Sequence, residues 1–209
     1  MTRSVPERRI DPEIKQERIP YVRWYQSQSV HLRYSNIIYI DESPFNLHMI
    51  KSHSWSRVGT IPNPIVTNSR GQNVTMILAI NSLNIVSSEA IIHRGVNGEI
   101  YKRFLNGLVD ILGRNQEFTL VMDNVRFHHV DPEFRDSYPY DIVYLPRYSP
   151  FLNPCEEVFS KLKNCVWREG RINGTDDLIS RMTDSCTRIS PHDLSNYILH
   201  CETFLNDCL

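Results

Sequence analysis

The sequence predicts an α/β fold in which a mixed sheet carries helices on its faces. Three observations carry that prediction. Strand-like apolar runs follow one another early in the chain, later strands alternate with helical stretches, and no internal repeat or low-complexity tract offers another architecture. With 209 residues, one compact domain plus a short extra segment is the default, since domains commonly run to about 100–200 residues. Hydrophobic residues at 41% are enough to build a core, which excludes a disordered or collagen-like chain.

Residues 1–36 are polar and irregular, with Pro6, Pro12 and Pro20. Seven basic and four acidic residues give this segment a local net charge of +3. A helix beginning near Glu13 would be ended or kinked by Pro20. The few large apolar side chains cannot enclose a core, so residues 1–36 read as an arm or linker and residues 37–209 as the folded domain.

From Ile37 the texture changes. Ile37-Ile38-Tyr39-Ile40 is β-branched and aromatic, too short for a typical helix, and runs into Asp41-Glu42-Ser43-Pro44: a buried strand ending in acid. Further strands are expected at Leu47–Ile50, Val74–Ile80 and Ile85–Ile92, the last two joined by a turn at Asn81–Asn84. Strands in succession suggest an antiparallel meander. Gly98 to Leu112 is helical, with Ile100, Phe104, Leu105, Leu108, Ile111 and Leu112 near period 3.6 and Gly113 placed to stop it. Phe118–Met122 is another buried strand, again ending in acid at Asp123, and Ile142–Leu145 is the last strand. The remainder from Asn153 is mainly helical.

The totals exclude some functions. Lysine and arginine number 23 against 24 acids, a net charge of −1, so nothing announces the basic surface that phosphate binding normally calls for. No run approaches the ~18 apolar residues of a membrane span. The N-terminal stretch Met1–Arg9 lacks a secretory apolar segment, which leads us to expect an intracellular, reducing location. Five scattered cysteines without a CxxC pair fit that expectation and argue against a disulfide framework. His192, His200, Cys201 and Cys208 form the alternative metal cluster, but their spacing is irregular.

The chemistry is expected from acids. Asp41 and Asp123 each follow an apolar strand, where an ionised group is costly unless it meets water, a cation or a donor. Either one alone is better explained as a strand-capping turn residue. A third acid shifts the balance. Cys155, Val158, Phe159, Leu162 and Val166 form one helical stripe, and at about 100° per residue Glu156 lies at its border, able to reach the sheet. Glu157 points to solvent, suited to an exposed pair with Lys161 worth only about 0.2–0.5 kcal/mol. Three carboxylates repel one another unless divalent cations neutralise them. Hard oxygen donors suit Mg²⁺ or Mn²⁺, and two such ions can clamp the attacking and leaving oxygens of an in-line phosphoryl transfer.

The residues around those acids resemble the catalytic domain of the Tc/mariner family of DNA transposases, within the D,D,E endonucleases and integrases. Tyr39-Ile40-Asp41-Glu42-Ser43-Pro44-Phe45 resembles the first-acid segment, Met122-Asp123-Asn124-Val125-Arg126-Phe127-His128 the second, and Ser149-Pro150-Phe151-Leu152-Asn153-Pro154-Cys155-Glu156 the third, followed by Lys161-Leu162-Lys163. Trp55, Arg57 and Gly59 are similar to the segment after the second strand. Three motifs in order are far more specific than one. Val125 and Cys155 depart from the usual residues, and 32 residues separate Asp123 from Glu156, slightly under the family spacing.

The resemblance implies an RNase H-like fold with a mixed five-stranded sheet flanked by helices, and Asp41, Asp123 and Glu156 as ligands of two Mg²⁺ or Mn²⁺ ions. It further implies DNA cleavage at transposon ends, joining of the released 3′-hydroxyl to target DNA, a homodimer, a nuclear location, and no small-molecule cofactor. Asn124 would orient a metal ligand or phosphate, His128 would contact nucleic acid and Arg147 phosphate; a turn residue, a surface imidazole and a solvated arginine are the plainer readings. Trp24, Trp55 and Trp167 read as packing residues rather than base-stacking platforms. Family members carry two helix-turn-helix modules upstream, which 36 residues cannot hold. This leaves a non-catalytic, transposase-derived binding protein as the alternative, with end recognition lost or supplied by another chain. Near-neutral charge is compatible with a DNA substrate, since bound cations would make the local field positive, but implies weak intrinsic DNA affinity.

Overall fold

A computed structural model describes residues 11–47, 59, 73–92, 95–125, 128–129 and 131–209. The elements in order are α1 (Pro12–Ser27), α2 (Val30–Ser35), β1 (Ile37–Asn46), β2 (Asn73–Ile80), β3 (Ile85–Ile92), α3 (Gly98–Leu112), β4 (Thr119–Met122), α4 (Pro132–Ser137), β5 (Asp141–Tyr144), α5 (Cys155–Arg168), α6 (Gly174–Cys186) and α7 (Pro191–Thr203). Short 3₁₀ turns occupy Pro150–Leu152 and Asn206–Cys208.

The strands form one mixed five-stranded sheet, ordered β3-β2-β1-β4-β5. β1, β2 and β3 pair antiparallel, whereas β4 joins β1, and β5 joins β4, in parallel. The expected meander followed by crossovers is therefore present. At the β2–β3 turn the Asn81 side chain accepts from the backbone N–H groups of Leu83 and Asn84, the reason an Asn opens it.

Alternation along the strands divides the core in two. On one face Ile37, Tyr39, Phe45 and Val121 pack with Val158, Phe159 and Leu162 of α5 and with α1, α6 and α7. On the other, Ile38, Ile40, Leu120 and Met122 pack with Tyr101, Phe104, Leu105 and Leu108 of α3. α3 spans the predicted residues, and Gly113 ends it at φ 75°, a conformation open to glycine, with its N–H bonded to the Val109 carbonyl.

Two sequence expectations need correction. β1 does not end before Asp41; it continues to Asn46, because β2 supplies a partner at every step from Tyr39↔Ile80 to Asn46↔Asn73. Pro44 is accommodated since β4 stops pairing at Ile40, which leaves that side of β1 without a described neighbour where an N–H would be needed. Leu47 lies in a turn, and the rest of the strand expected at 47–50 falls outside the described residues, as do Trp55 and Arg57. The helix near Glu13 runs through Pro20 rather than stopping there. Its face of Ile14, Arg18, Tyr21, Val22 and Tyr25 is buried, and Tyr21, Val22 and Tyr25 belong to the core beneath α5, which offsets the backbone bond that proline removes.

No helix among the described residues is long and apolar enough to cross a membrane. Trp24 and Trp167 pack half-buried against the core.

Candidate active site

The site grows from the parallel pair β1–β4. Their pairing ends at Ile40 beside Met122, so Asp41 and Asp123 are the next residues on neighbouring strands. By period-two alternation Asp41 shares the face of Tyr39, and Asp123 follows the face of Val121, the side covered by α5. α5 carries the predicted buried stripe of Cys155, Val158, Phe159, Leu162 and Val166 and contributes Glu156 from its first turn. Asn153, itself buried, starts that helix by accepting from the Cys155 N–H at 3.1 Å, and the Cys155 thiol rests against the Tyr39 carbonyl at 3.5 Å. This places the helix start two residues along β1 from Asp41, against Tyr39 on the same face.

The three acids sense one another. Burial pushes the Asp41 carboxyl well above the usual carboxylate range, and Glu42, Glu156 and Asp123 add repulsion; a bond from the Glu42 N–H to Asp41 Oδ1 at 2.9 Å acts in the opposite sense. The Glu156 carboxyl is also raised, first by partial desolvation and then by Asp123, with Lys163 opposing. Asp123 Oδ1 accepts from the Asn124 N–H at 2.7 Å. These neighbours are what a cluster of like charges requires a cation to relieve.

Two groups that the motif reading did not single out complete the surroundings. Lys163 lies two turns along α5 from Glu156; its Nζ donates to Ser43 Oγ at 2.6 Å and sits over the Phe45 ring. Burial lowers its affinity for the proton, while Glu156 and Asp41 support the charge. Glu42, the neighbour of Asp41, falls on the opposite face of β1 and meets His128, Oε2 to Nε2 at 2.8 Å. An acid beside a strand-end acid, and a lysine at i+7 on the same helix, are visible signals once the pairing is known.

The remaining expected residues differ in their fates. Asn124 is exposed beside Asp123 and its Oδ1 meets His129 Nε2 at 2.7 Å. His128 does not present a surface for nucleic acid: its side chain is completely buried, with Nδ1 2.9 Å from the Asp123 carbonyl and the Tyr101 ring stacked on it. Arg147 is exposed but engaged, its guanidinium bonded to Glu17 of α1, whose carboxyl is thereby held below its usual range. Glu157 pairs with His200 rather than Lys161, and Lys161 reaches Asp193 of α7 instead, because α7 packs against this part of α5.

Among the described residues no group of three or more His, Cys, Asp or Glu side chains is gathered closely enough to hold a metal ion as it stands. For His192, His200, Cys201 and Cys208 that ends the matter, since His192 meets Asn196, His200 meets Glu157 and both thiols are buried. For Asp41, Asp123 and Glu156 the test is donor chemistry. Like charges do not close up without a cation between them, and the mutual repulsion recorded in Asp41 and Glu156 is what a hard divalent ion would reverse. The residues fit such an ion.

Comparison with known proteins adds a family and a fold. The model of the DDE superfamily endonuclease family matches residues 36–179. A search of curated protein sequences finds no match. Among solved structures, a pre-cleavage Mos1 transpososome is similar at TM-score 0.81 and 16% identity over 100% of this chain and 65% of that one. A Mos1 mariner paired-end complex with Mn is similar at TM-score 0.76 and 17% identity, over 100% and 66%. The catalytic domain of Mos1 mariner transposase is similar at TM-score 0.72 and 14% identity, and here the match covers 100% of this chain and 95% of that one. This chain thus spans about 65% of the length of the transposase chain in the transpososome. The mixed five-stranded sheet flanked by helices is the RNase H-like fold that the family resemblance implies.

Proposed function

The chain belongs to the DDE superfamily endonucleases, and we propose that it is the catalytic domain of a Tc/mariner-like transposase, cutting DNA at transposon ends and joining the 3′-hydroxyl to target DNA. The observation that carries this reading is the placement of Asp41 and Asp123 side by side at the end of the β1–β4 pair, with Glu156 delivered to the same face by α5.

Asp41, Asp123 and Glu156 would hold the divalent ions, Mg²⁺ or Mn²⁺ and two in number. Such ions supply a water of lowered pKa and neutralise charge on the attacked and leaving oxygens. The protein's own contribution is position. β1 and β4 fix the two aspartates on a rigid sheet, and the buried stripe of α5 fixes the third acid against them. Desolvation raises the proton affinity of the Asp41 and Glu156 carboxyls, so a cation bound there would compete with protons and bind more weakly as pH falls. Lys163 offsets part of the negative charge beside Glu156. Asn124, exposed next to Asp123, is placed to meet a phosphate or orient a ligand.

The paired-end complexes of the Mos1 relative support DNA ends as substrate and a homodimer as the working form. With DNA as substrate we also propose a nuclear location. A mobility shift on duplex DNA run beside Mn²⁺-dependent nicking of supercoiled plasmid tests the proposal: metal-dependent nicking abolished by EDTA is expected. DNA binding without nicking would mark a transposase-derived binding protein instead and overturn the catalytic reading.

A further inference from the structure

Glu42 and His128 are 86 residues apart in sequence yet form a contact on the face of the sheet opposite the acid cluster. The His128 ring is closed in on every side that the structure describes: the side chain has 0% exposure, Tyr101 of α3 stacks on it at 4.3 Å, Nδ1 faces the Asp123 carbonyl at 2.9 Å, and Nε2 faces Glu42 Oε2 at 2.8 Å. A carbonyl only accepts, so Nδ1 carries the hydrogen there, and a further proton is shared between Nε2 and Glu42. Both partners of the imidazole adjoin the site acids. Glu42 follows Asp41 on β1, and the carbonyl belongs to Asp123 itself.

We propose that His128 is a positioning residue that latches the backbone of Asp123 to Glu42 and so fixes the spacing between Asp41 and Asp123 for divalent-cation binding. The need for a latch follows from the topology. β1 and β4 stop pairing at Ile40 and Met122, so the backbone of Asp123 has left the β1 ladder at the point where its carboxyl must be placed within tenths of an ångström. His128 replaces the missing rung. Strand alternation already sends Glu42 to the face opposite Asp41, and the His128 contact gives its carboxylate a partner there. Tyr101, fully buried, fixes the plane of the imidazole, and its hydroxyl lies 3.5 Å from Met122 Sδ, anchoring the ring to the strand that ends in Asp123.

The inference rests on the reading of Asp41, Asp123 and Glu156 as cation ligands, and its test separates the two. Mn²⁺ binding to the full chain is measured by calorimetry, at a temperature where circular dichroism shows every variant folded. His128→Ala and Glu42→Ala are expected to weaken Mn²⁺ by about 10- to 100-fold, the usual cost of losing a group that orients a ligand. Glu42→Gln, which keeps a polar partner for Nε2, is expected to retain most of the affinity; an equal loss in Glu42→Gln and Glu42→Ala would make Glu42 a direct ligand and overturn the latch. Leu108→Ala, in the same core under α3, destabilises without touching the latch and is expected to bind Mn²⁺ as the wild type does. Wild-type affinity in His128→Ala, or a loss in Leu108→Ala as large as in His128→Ala, would contradict the proposal. Absence of Mn²⁺ binding in the wild type would overturn the cation reading itself, and the latch with it.

Discussion

Asp41 and Asp123 stand on neighbouring parallel strands one residue beyond the last paired step, Ile40 beside Met122. The position of Asp41 there, buried and beside other acids, is costly in the metal-free protein, and the cost can be measured. The folded-state Asp41 carboxyl is raised above its ordinary value by burial and by its acidic neighbours, so between the unfolded and folded pKa values the native state binds more protons than the unfolded chain. Stability from this group is then highest at low pH and falls as pH rises through the folded pKa. Asp41→Asn removes the charge, so thermal melting in EDTA is expected to show a higher Tm than wild type at neutral pH and a smaller decline between acid and neutral pH. A lower Tm at neutral pH would show that Asp41 is stabilised, not strained, by its surroundings.

A cation reverses that strain. Binding to the native state alone stabilises by mass action, about 2.7 kcal/mol at a concentration 100 times the dissociation constant. Mn²⁺ is therefore expected to raise the Tm of the wild type and to raise that of Glu156→Gln much less. Equal shifts in both would place the ion away from α5.

How far the sequence foretold this site depends on the range of each interaction. The stripe from Cys155 to Val166 is local, and its 3.6 periodicity is realised residue for residue, with Glu156 at its edge. The acids Asp41 and Asp123 were legible as residues following apolar runs. That Asp41 lies within a longer strand was not, because the extension of β1 depends on β2, whose Leu78 pairs with Asp41 from a distant part of the sequence. His128 read as a surface group for the same reason: Glu42 and Tyr101 reach it from distant segments, and strand alternation sends Glu42 to the face opposite Asp41 only once the register is set. Tyr21, Val22 and Tyr25 were hidden by a polar, proline-bearing segment whose one apolar face is decided by packing.

That packing makes α1 a contributor to stability. Tyr25 is buried in the core that α1 shares with α5 and α7, and its hydroxyl donates to Glu202 of α7 at 2.9 Å. Tyr25→Ala is expected to cost about 3–5 kcal/mol, as for other large aromatic truncations, and Tyr25→Phe about 1.5–3 kcal/mol for a hydrogen bond to a carboxylate. Urea unfolding measures both. A near-neutral Tyr25→Ala would mean that residues 12–27 do not fold with the domain.

Glu17 engages Arg147 in the loop that leads into α5, an exposed guanidinium expected to meet DNA phosphate. Glu17→Gln releases that charge. Binding to duplex DNA is expected to strengthen, with the slope of log affinity against log salt steeper by about 0.9, one phosphate contact. An unchanged slope would remove Arg147 from the DNA-contacting set.

The central claim is that Asp41, Asp123 and Glu156 together form a divalent-cation-dependent site for phosphodiester cleavage. The most direct measurement is Mn²⁺-dependent nicking of supercoiled DNA by the wild type and by Asp123→Asn, with folding of both verified by circular dichroism. A bound cation stabilises the transition state by several kcal/mol, and about 1.4 kcal/mol is a factor of ten, so the substitution is predicted to slow nicking by at least about 100-fold. Nicking by folded Asp123→Asn at the wild-type rate would contradict the account.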